Sequence, residues 1–192
     1  ITSEATGNYA LALEQGAPVV VYQNSAQLNI IKQSGGNWSL PAGVNLTTSG
    51  TREFNLFSRG QNVYEVFYMQ SSAALNWRWG IGFTSFHLDD TNHTTAILQN
   101  RPVIPSVSTQ DVRTYKVMSE TSGQYHIIYT KYNINSNFFA GYMFFDANGG
   151  HFNAQVSPLL SSVDEFVLFG SVRNNIVTEY FSSYVNGAAR LQ

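Results

Sequence analysis

Residues 75–86, which read LNWRWGIGFTSF, alternate between large apolar side chains and polar or small ones. Successive side chains of a β-strand point to opposite faces of its sheet, so this period of two predicts a strand over Leu75–Phe86 with one face in a core. The other face, which carries Asn76 and Arg78, would meet solvent or a partner. The core face comprises every second residue from the first leucine: Leu75, Trp77, Trp79, Ile81 and Phe83. We therefore predict that Trp77 and Trp79 are core residues and do not form a platform for a ligand.

Short apolar runs of the same kind occur on both sides of this stretch, separated by turn-forming pairs such as Gln15–Gly16 and Gly35–Gly36. Runs of this length between glycine, asparagine and serine residues are typical of β-sandwiches and β-barrels. The polar stretch Phe86–Gln110 contains two prolines and is predicted to be mainly loop. Further strands are expected at Tyr9–Leu13, Pro18–Tyr22, Leu28–Lys32, Glu53–Phe57, Val63–Tyr68, Val112–Ser119, Tyr125–Tyr129, Phe138–Phe145 and Glu165–Phe169.

The C-terminal stretch has a different period. Apolar residues recur at every fourth position from Val172 to Tyr184, which is the spacing of one face of an α-helix. Gly187 stands where such a helix would end. The sequence therefore predicts one short helix near Asn175–Asn186 in a chain whose fold class is otherwise mainly β.

The composition limits the kinds of partner that the protein could bind. The chain has 192 residues, of which 43% are hydrophobic and only 11% charged, with a formal net charge of −2 and no cysteine. This length fits one domain over residues 1–192, with flexible ends at 1–8 and 188–192. Lysines and arginines are scattered singly, which argues against nucleic acid as a partner, and no apolar run reaches the roughly 20 residues of a membrane span. Because the chain begins with Ile1, we interpret it as a fragment of a longer polypeptide.

One cluster of potential metal ligands is visible, and it comprises His87, Asp89, Asp90 and His93. Nitrogen and oxygen donors of this kind could hold a divalent cation. No second cluster is present to fix such ligands, and the same residue types suit a polar loop. We predict that the protein uses no metal and no cofactor.

The sequence offers no clear catalytic constellation. It contains no Gly-x-Ser-x-Gly elbow and no glycine-rich phosphate loop. A pair of carboxylates for glycoside hydrolysis would have to come from strand ends and turns, where solvated carboxylates are the simpler interpretation: Glu53, Glu65, Asp111 and Glu120. His126 lies within a strand pattern and is interpreted as structural. The sequence therefore predicts a protein that binds a ligand and has no catalytic residue.

One polar segment suits a sugar. Tyr132 stands beside Asn133, Asn135 and Ser136 in the segment Lys131–Ser136. Sugars are held by an aromatic face together with amide and hydroxyl groups, and this segment supplies both. An ordinary turn explains the segment equally well, so both interpretations stay open.

Motifs along the chain resemble, in the same order, the head of the rotavirus spike protein, which is the outer fragment that trypsin releases. Near the C terminus, Asp164–Phe169, Thr178–Tyr180 and Asn186–Gly187 resemble the Glu-Phe-aliphatic strand, the Glu-Tyr helix and the Asn-Gly end of that head. Earlier motifs that resemble it are Thr51–Phe57, Trp77–Trp79, Asp111–Arg113 and Ser122–Tyr125. Together the motifs extend over most of the chain.

The resemblance implies a galectin-like sandwich of two antiparallel sheets with one short C-terminal helix. It also implies a non-catalytic attachment domain on the virion surface, joined to the rest of the spike polypeptide, whose partner is a host-cell glycan. No arginine stands near Ala26–Gln27, where some members bind sialic acid, so the sugar preference is not carried over. The ligand contacts of the family align with two segments of this chain, which gives the expected site: Gln99, Asn100, Arg101, Tyr132, Asn133, Asn135 and Ser136.

Two other functions stay open at this point. The first is a bacterial, phage or cellular lectin of a similar sandwich type, which would be secreted or displayed on a surface. The second is a metal-dependent hydrolase that uses the His87–His93 segment.

Overall fold

A computed structural model gives the fold as two compact units, Ile1–Pro105 and Ser106–Gln192. It describes residues 8–24, 27–40, 42–45, 50–73, 76–89, 94–105, 110–121, 123–133, 137–148, 151–158, 166–173, 176–185 and 188–191. Within these ranges every strand pairing is antiparallel and no residue is in an α-helix. The prediction of a mainly β fold is confirmed. No helix in the described part of the chain could cross a membrane.

The described residues of the first unit form nine strands in two sheets. One sheet has the order β1-β2-β3-β4, with β5 also paired to β3, and the other has the order β6-β7-β8-β9. The strands are β1 (Tyr9–Glu14), β2 (Ala17–Asn24), β3 (Gln27–Ser34), β4 (Asn37–Trp38), β5 (Ala42–Asn45), β6 (Gly50–Gly60), β7 (Val63–Ser72), β8 (Arg78–Asp89) and β9 (Thr94–Ile104).

Tight turns join several of these strands. Gln15–Gly16, Gly35–Gly36 and Gln61–Asn62 each form a two-residue connection in which both residues have positive φ. This backbone matches the right-handed twist of the flanking strands, and glycine and asparagine adopt it at low cost. The turn chemistry visible in the sequence therefore sets the register of these hairpins.

The two sheets of the first unit pack face to face around one core. The core takes aliphatic residues from the first sheet and both aromatic and aliphatic ones from the second: Val19, Val21, Leu28, Ile30, Ala42 and Val44, then Phe54, Leu56, Tyr64, Val66, Tyr68, Phe86 and Leu88. Alternate residues of each strand enter this core, as the pleat of a strand requires. The first unit is thus a β-sandwich.

In the second unit, the part of the chain that the structure describes forms seven strands in two further sheets, with the orders β10-β11-β12-β13 and β14-β15-β16. The strands are β10 (Gln110–Thr121), β11 (Gln124–Asn133), β12 (Asn137–Asp146), β13 (His151–Pro158), β14 (Phe166–Arg173), β15 (Ile176–Val185) and β16 (Ala188–Leu191). Its buried side chains include Tyr125, Ile127, Met143 and Phe145 from the two central strands. Strand β14 lies close to β10 and β11.

The C-terminal helix expected near Asn175–Asn186 is not found, because Ile176–Val185 is the central strand of the three-stranded sheet. A spacing of four is an even number, so it places residues on one face of a strand as well as on one face of a helix. The segment is rich in β-branched and aromatic residues, which favour strands. The helical interpretation was therefore wrong.

The loop expected over Phe86–Gln110 is also largely absent, since β9 occupies Thr94–Ile104. This strand is at the edge of its sheet, where side chains such as Ile97 and Leu98 remain exposed and alternation is weak. Pro102 sits beside a register shift, which is a position where a strand tolerates proline.

The strand expected over Leu75–Phe86 begins later than predicted. Ser72 pairs with Arg78, the first residue of β8, so Trp77 lies before the strand, in a turn, with 58% of its surface exposed. The prediction that Trp77 is a core residue was wrong, and Trp79 in β8 is only partly buried.

The predicted single domain over residues 1–192 stays a prediction. Of the ends expected to be flexible, Asn8 precedes β1 and Ala188–Leu191 forms β16, whereas residues 1–7 and 192 lie outside the described residues.

Candidate functional site

The first predicted ligand segment, Gln99–Arg101, lies within the edge strand β9 and pairs with Phe83–Ser85 of β8. The Asn100 side chain is exposed, and its Oδ1 accepts a hydrogen bond of 3.2 Å from the hydroxyl of the buried Tyr68. The Gln99 carbonyl oxygen accepts one of 3.1 Å from Thr84 Oγ1. These bonds hold the backbone and the amide in place.

The strand geometry divides this segment between two faces. Neighbouring residues of a regular strand point in opposite directions, so Asn100 faces one way and Gln99 and Arg101 the other. The Arg101 guanidinium carbon lies 6.0 Å from the centroid of the Phe83 ring on its face of the sheet. One flat ligand could therefore contact Asn100 or Arg101 directly, but not both.

The second predicted segment begins at the end of β11, where Tyr132 pairs with Asp111 at the start of β10. A β-bulge at Arg113 interrupts the pairing there and turns this side chain toward the tyrosine. The Arg113 guanidinium carbon is 5.4 Å from the Tyr132 ring centroid, and Arg113 Nε is 3.5 Å from Asp111 Oδ2. We call these three residues the Tyr132 cluster.

The members of the Tyr132 cluster differ in exposure. About half of the Arg113 side chain is exposed at 51%, whereas Asp111 is nearly buried at 8% and Tyr132 lies between them. Burial lowers the pKa of the neighbouring Lys131. The cluster thus offers an aromatic ring, an exposed fork of donors and an anchored carboxylate at one end of a hairpin.

The other residues of the predicted site are less defined. Asn133 ends β11 and pairs with Asn137, but Asn135 and Ser136 lie outside the described residues. Gln99–Arg101 belongs to the first unit and Tyr132 to the second, so we treat them as two separate surfaces.

Sequence reasoning missed a buried polar network in the first unit, formed by Glu14, Lys32, Asn62 and Tyr64. Glu14 Oε1 accepts a hydrogen bond of 3.0 Å from the Asn62 amide, and Glu14 Oε2 accepts one from the Tyr64 hydroxyl. Lys32 Nζ lies 3.0 Å from Glu14 Oε2 and donates to Asn62 Oδ1 at 2.7 Å. We call this set the Glu14 network.

The Glu14 network determines the ionisation of its carboxylate. Burial alone would raise the pKa of Glu14, but the hydrogen bonds from Tyr64, Lys32 and the Asn62 amide together outweigh it, so the pKa is lowered. A cleft of about 440 Å³ opens between the β1–β2 and β3–β4 turns, with Glu14 and Lys32 among its lining residues. In a chain with so few charges, a glutamate and a lysine beside glycine turns were the signal that could have pointed to this site.

A second group of unpredicted surface residues lies where β7 turns into β8. The Arg52 guanidinium carbon is 4.1 Å from the Trp79 ring centroid, and Arg52 Nε is 3.6 Å from Glu53 Oε1. Trp79 is the second residue of β8, directly after the loop that holds Asn76 and Trp77. We call these five residues the Trp77 corner.

Those candidate metal-ligating and catalytic residues that the structure describes do not converge on one site. His87 and Asp89 lie on β8, while Asp90 and His93 are outside the described residues. In the part of the chain that the structure describes, no three His, Cys, Asp or Glu side chains come together as metal ligands would.

The former catalytic candidates have structural partners. Glu65 is fully buried, 3.3 Å from Arg59 Nη1, and His126 Nδ1 is 2.7 Å from the Tyr142 hydroxyl. Burial raises the pKa of Glu53 although Arg52 acts in the opposite direction. The side chain of Glu120 is not among those described.

No protein-family model matches the sequence, and no curated protein is significantly similar to it.

Proposed function

We propose that this protein is a non-catalytic glycan-binding domain and that the Tyr132 cluster contacts the sugar. The observation that carries the proposal is the placement of the Arg113 guanidinium beside the Tyr132 ring, with Asp111 holding the arginine. An aromatic ring presents an apolar face to the C–H side of a pyranose, and a guanidinium fork donates to vicinal hydroxyls or a carboxylate. The carboxylate of Asp111 fixes the fork before a ligand arrives.

The partner class follows from the chemistry of this surface. The cluster is open and partly exposed, so it suits one or two sugar rings rather than a deeply enclosed cofactor. Shallow single-sugar sites bind weakly, on the order of millimolar, which corresponds to about −4 kcal/mol. Several copies on one particle would raise the effective affinity without any new contact.

The motifs that resemble the rotavirus spike head support a more specific version of the proposal, apart from the Glu-Tyr helix motif at Thr178–Tyr180, which lies in strand β15. In this version the domain is displayed on the virion surface, joined to the rest of a spike polypeptide, and attaches the particle to host-cell glycans. The same sugar chemistry would serve a bacterial, phage or cellular lectin, and the source of the chain decides between them. The galectin-like arrangement of the sheets belongs to this more specific version.

The proposal is tested by binding of the whole 192-residue chain, coupled to beads in many copies, to a glycan array. Tyr132→Ala removes the ring against which the sugar and Arg113 lie, so we expect at least about a tenfold loss of binding, or about 1.4 kcal/mol. Tyr9→Ala is the matched control, because Tyr9 is 68% exposed and lies outside the cluster. The melting temperature of both variants should stay within a few degrees of the parent.

Three outcomes are informative. Loss of binding in Tyr132→Ala alone supports the cluster as the site. Loss only in Asn100→Ala or Arg101→Ala would move the site to β9 and keep the function. A parent chain that retains no glycan, even in many copies, would reject glycan binding altogether.

A further inference from the structure

The loop between β7 and β8 places a tryptophan in a backbone conformation that costs free energy. Asn76 and Trp77 have φ of 54° and 58°, and the Asn76 amide donates to the Ala73 carbonyl at 3.1 Å. Asparagine tolerates left-handed backbone, but for a bulky residue it is a genuine outlier. The other described residues with positive φ are glycine, asparagine, glutamine and glutamate, so Trp77 is the one aromatic among them.

Burial does not compensate for this strain. The Trp77 side chain is 58% exposed, so most of its ring faces solvent. Glycine at this position would relieve the backbone at no loss of core contacts. A strained residue that also exposes a large apolar surface points to a role outside the fold.

The surroundings of Trp77 indicate what the ring would contact. Asn76 is exposed beside it and offers both a donor and an acceptor. Ser71 pairs with Trp79 and Ser72 with Arg78, so Trp79 lies at the start of β8, close to the loop. The Arg52 guanidinium stacks on the Trp79 ring. The side chains of Arg52 and Glu53 are 37% and 42% exposed. A single exposed indole ring with an amide, a guanidinium and a carboxylate nearby matches a sugar better than a lipid surface, which would require several apolar anchors.

We propose that the Trp77 corner is a second saccharide-binding site, in which the Trp77 indole stacks on the apolar face of a pyranose ring and Asn76 and Arg52 bind its hydroxyl groups. This inference rests on the proposed glycan-binding function but not on the Tyr132 cluster, which belongs to the other unit. Two sites on one chain would give each copy of the protein two points of attachment to glycans.

The test uses the full chain labelled with 5-fluorotryptophan. The chain has three tryptophans, which give three fluorine resonances. Trp38→Phe, Trp77→Phe and Trp79→Phe assign them. We expect the Trp77 resonance to shift when lactose, N-acetyllactosamine, mannose or N-acetylglucosamine is added at tens of millimolar. The Trp38 resonance is the internal control, since Trp38 is also exposed at 40% but lies on β4.

Trp77→Gly separates binding from folding. We expect this variant to melt at a higher temperature than the parent, because glycine accepts the left-handed backbone, and to lose at least tenfold in affinity for the sugar that shifts Trp77. Trp38→Phe should keep that affinity.

Each contrary result has its own meaning. A sugar that binds the parent and Trp77→Gly equally, but is lost in Tyr132→Ala, overturns this second site and leaves the proposed function intact. If the Trp77 resonance shifts when phosphatidylcholine vesicles are added and with none of the four sugars, the proposal of a saccharide site is overturned, and the Trp77 corner binds lipid instead. If the parent binds none of the array glycans, the proposed function fails and this site fails with it.

Discussion

The central hairpins of the two units, β7–β8 and β11–β12, use the same residue types at the same register. In the first unit Tyr64 pairs with Phe86, their ring centroids 5.9 Å apart, and Tyr68 pairs with Gly82. A Cβ added to Gly82 would lie only 2.7 Å from Tyr68 Cζ, so the tyrosine ring lies over the bare backbone of the glycine. The missing side chain makes room for the ring.

The second unit repeats this arrangement. Tyr125 pairs with Phe145 at 6.5 Å between centroids, and Tyr129 pairs with Gly141. A Cβ added to Gly141 would lie 2.6 Å from the Tyr129 hydroxyl oxygen. Covering of a strand glycine by a cross-strand aromatic ring is a known way of holding register. The four-residue spacing between the tyrosines, and between glycine and phenylalanine, is the same in both units.

The two hairpins differ in the polar groups attached to them. In the first unit Tyr64 donates to Glu14 of the facing sheet and Tyr68 donates to Asn100 of the edge strand. In the second unit the residue after Tyr125 is His126, whose ring nitrogen is 2.7 Å from the Tyr142 hydroxyl on the next strand. The aromatic–glycine pairs therefore set the register in both hairpins, whereas in the first unit a hydroxyl also joins two sheets.

The largest expected effect comes from removing that connection between sheets. Glu14→Gln keeps the shape but loses the carboxylate that accepts from Tyr64, Lys32 and Asn62, and a hydrogen bond to a charged group contributes about 1.5–3 kcal/mol. We expect a loss of that order in the free energy of unfolding from urea titration at pH 7. Glu53→Gln, at an exposed position, is the control and should change little.

The difference in stability between the parent and Glu14→Gln depends on pH. Because the pKa of Glu14 is lowered in the folded chain, its stabilisation is present above the unfolded value of about 4.3 and is lost as pH falls through the folded pKa. The difference between parent and Glu14→Gln should be constant from pH 7 to about pH 5 and shrink below about pH 4. A difference that grew on acidification would contradict the network.

The next effect is the loss of stability when a methyl group is added to Gly82 or Gly141, which tests whether both glycines make room for a tyrosine ring. Gly82→Ala and Gly141→Ala each force a methyl group against a tyrosine ring, and overpacking of this kind costs about 1–3 kcal/mol. The methyl group of Gly82→Ala would also lie 2.9 Å from Gln70 Oε1. This atom is the end of a flexible side chain and can move away, so the contact with the Tyr68 ring should account for the loss of stability.

Gly16→Ala is the matched control, because it has positive φ but nothing within 4 Å of its added Cβ. It should show only the cost of left-handed backbone at a residue with a Cβ, about 1–2 kcal/mol. Gly82 and Gly141 do not have positive φ, so core variants as stable as the parent would contradict the packing of the tyrosine rings over these glycines.

The smallest effect separates the polar partners of the two hairpins. A double-mutant cycle with Tyr68→Phe and Asn100→Ala should give a coupling of about 0.5–1.5 kcal/mol, the usual worth of one hydrogen bond. A cycle with His126→Phe and Tyr142→Phe should give a similar value for the second unit. Additive behaviour in either cycle would mean that the bond does not form in solution.

Much of the fold was predictable because strand pattern and turn chemistry agree. The runs that end in Tyr68 and Tyr129 are rich in β-branched and aromatic residues, which favour strands, and both became central strands. The hairpin formed by Val112–Ser119 and Tyr125–Tyr129 is present as β10 and β11. The error at Ile176–Val185 arose because a spacing of four fits a strand and a helix equally, and only composition separated them.

The site was less predictable, because a surface depends on which side chains several strands bring together. The sequence drew attention to Tyr132 but not to Arg113, whose position depends on a bulge in the neighbouring strand. Trp77 was assigned to the core since its neighbours alternate, yet the strand begins at Arg78, three residues after the predicted start, and Trp77 lies in the turn before it. No local pattern reports where a strand starts to that precision.

The order of the strands has a consequence for how the chain is made. All described pairings but that of β3 with β5 join strands that follow each other in sequence. Each such pairing closes a short loop, and hairpins of this kind form within about 1–10 microseconds, far faster than a ribosome adds residues. We therefore expect the sheets to assemble one strand at a time during synthesis, with the first sheet complete before the strands of the second unit leave the ribosome.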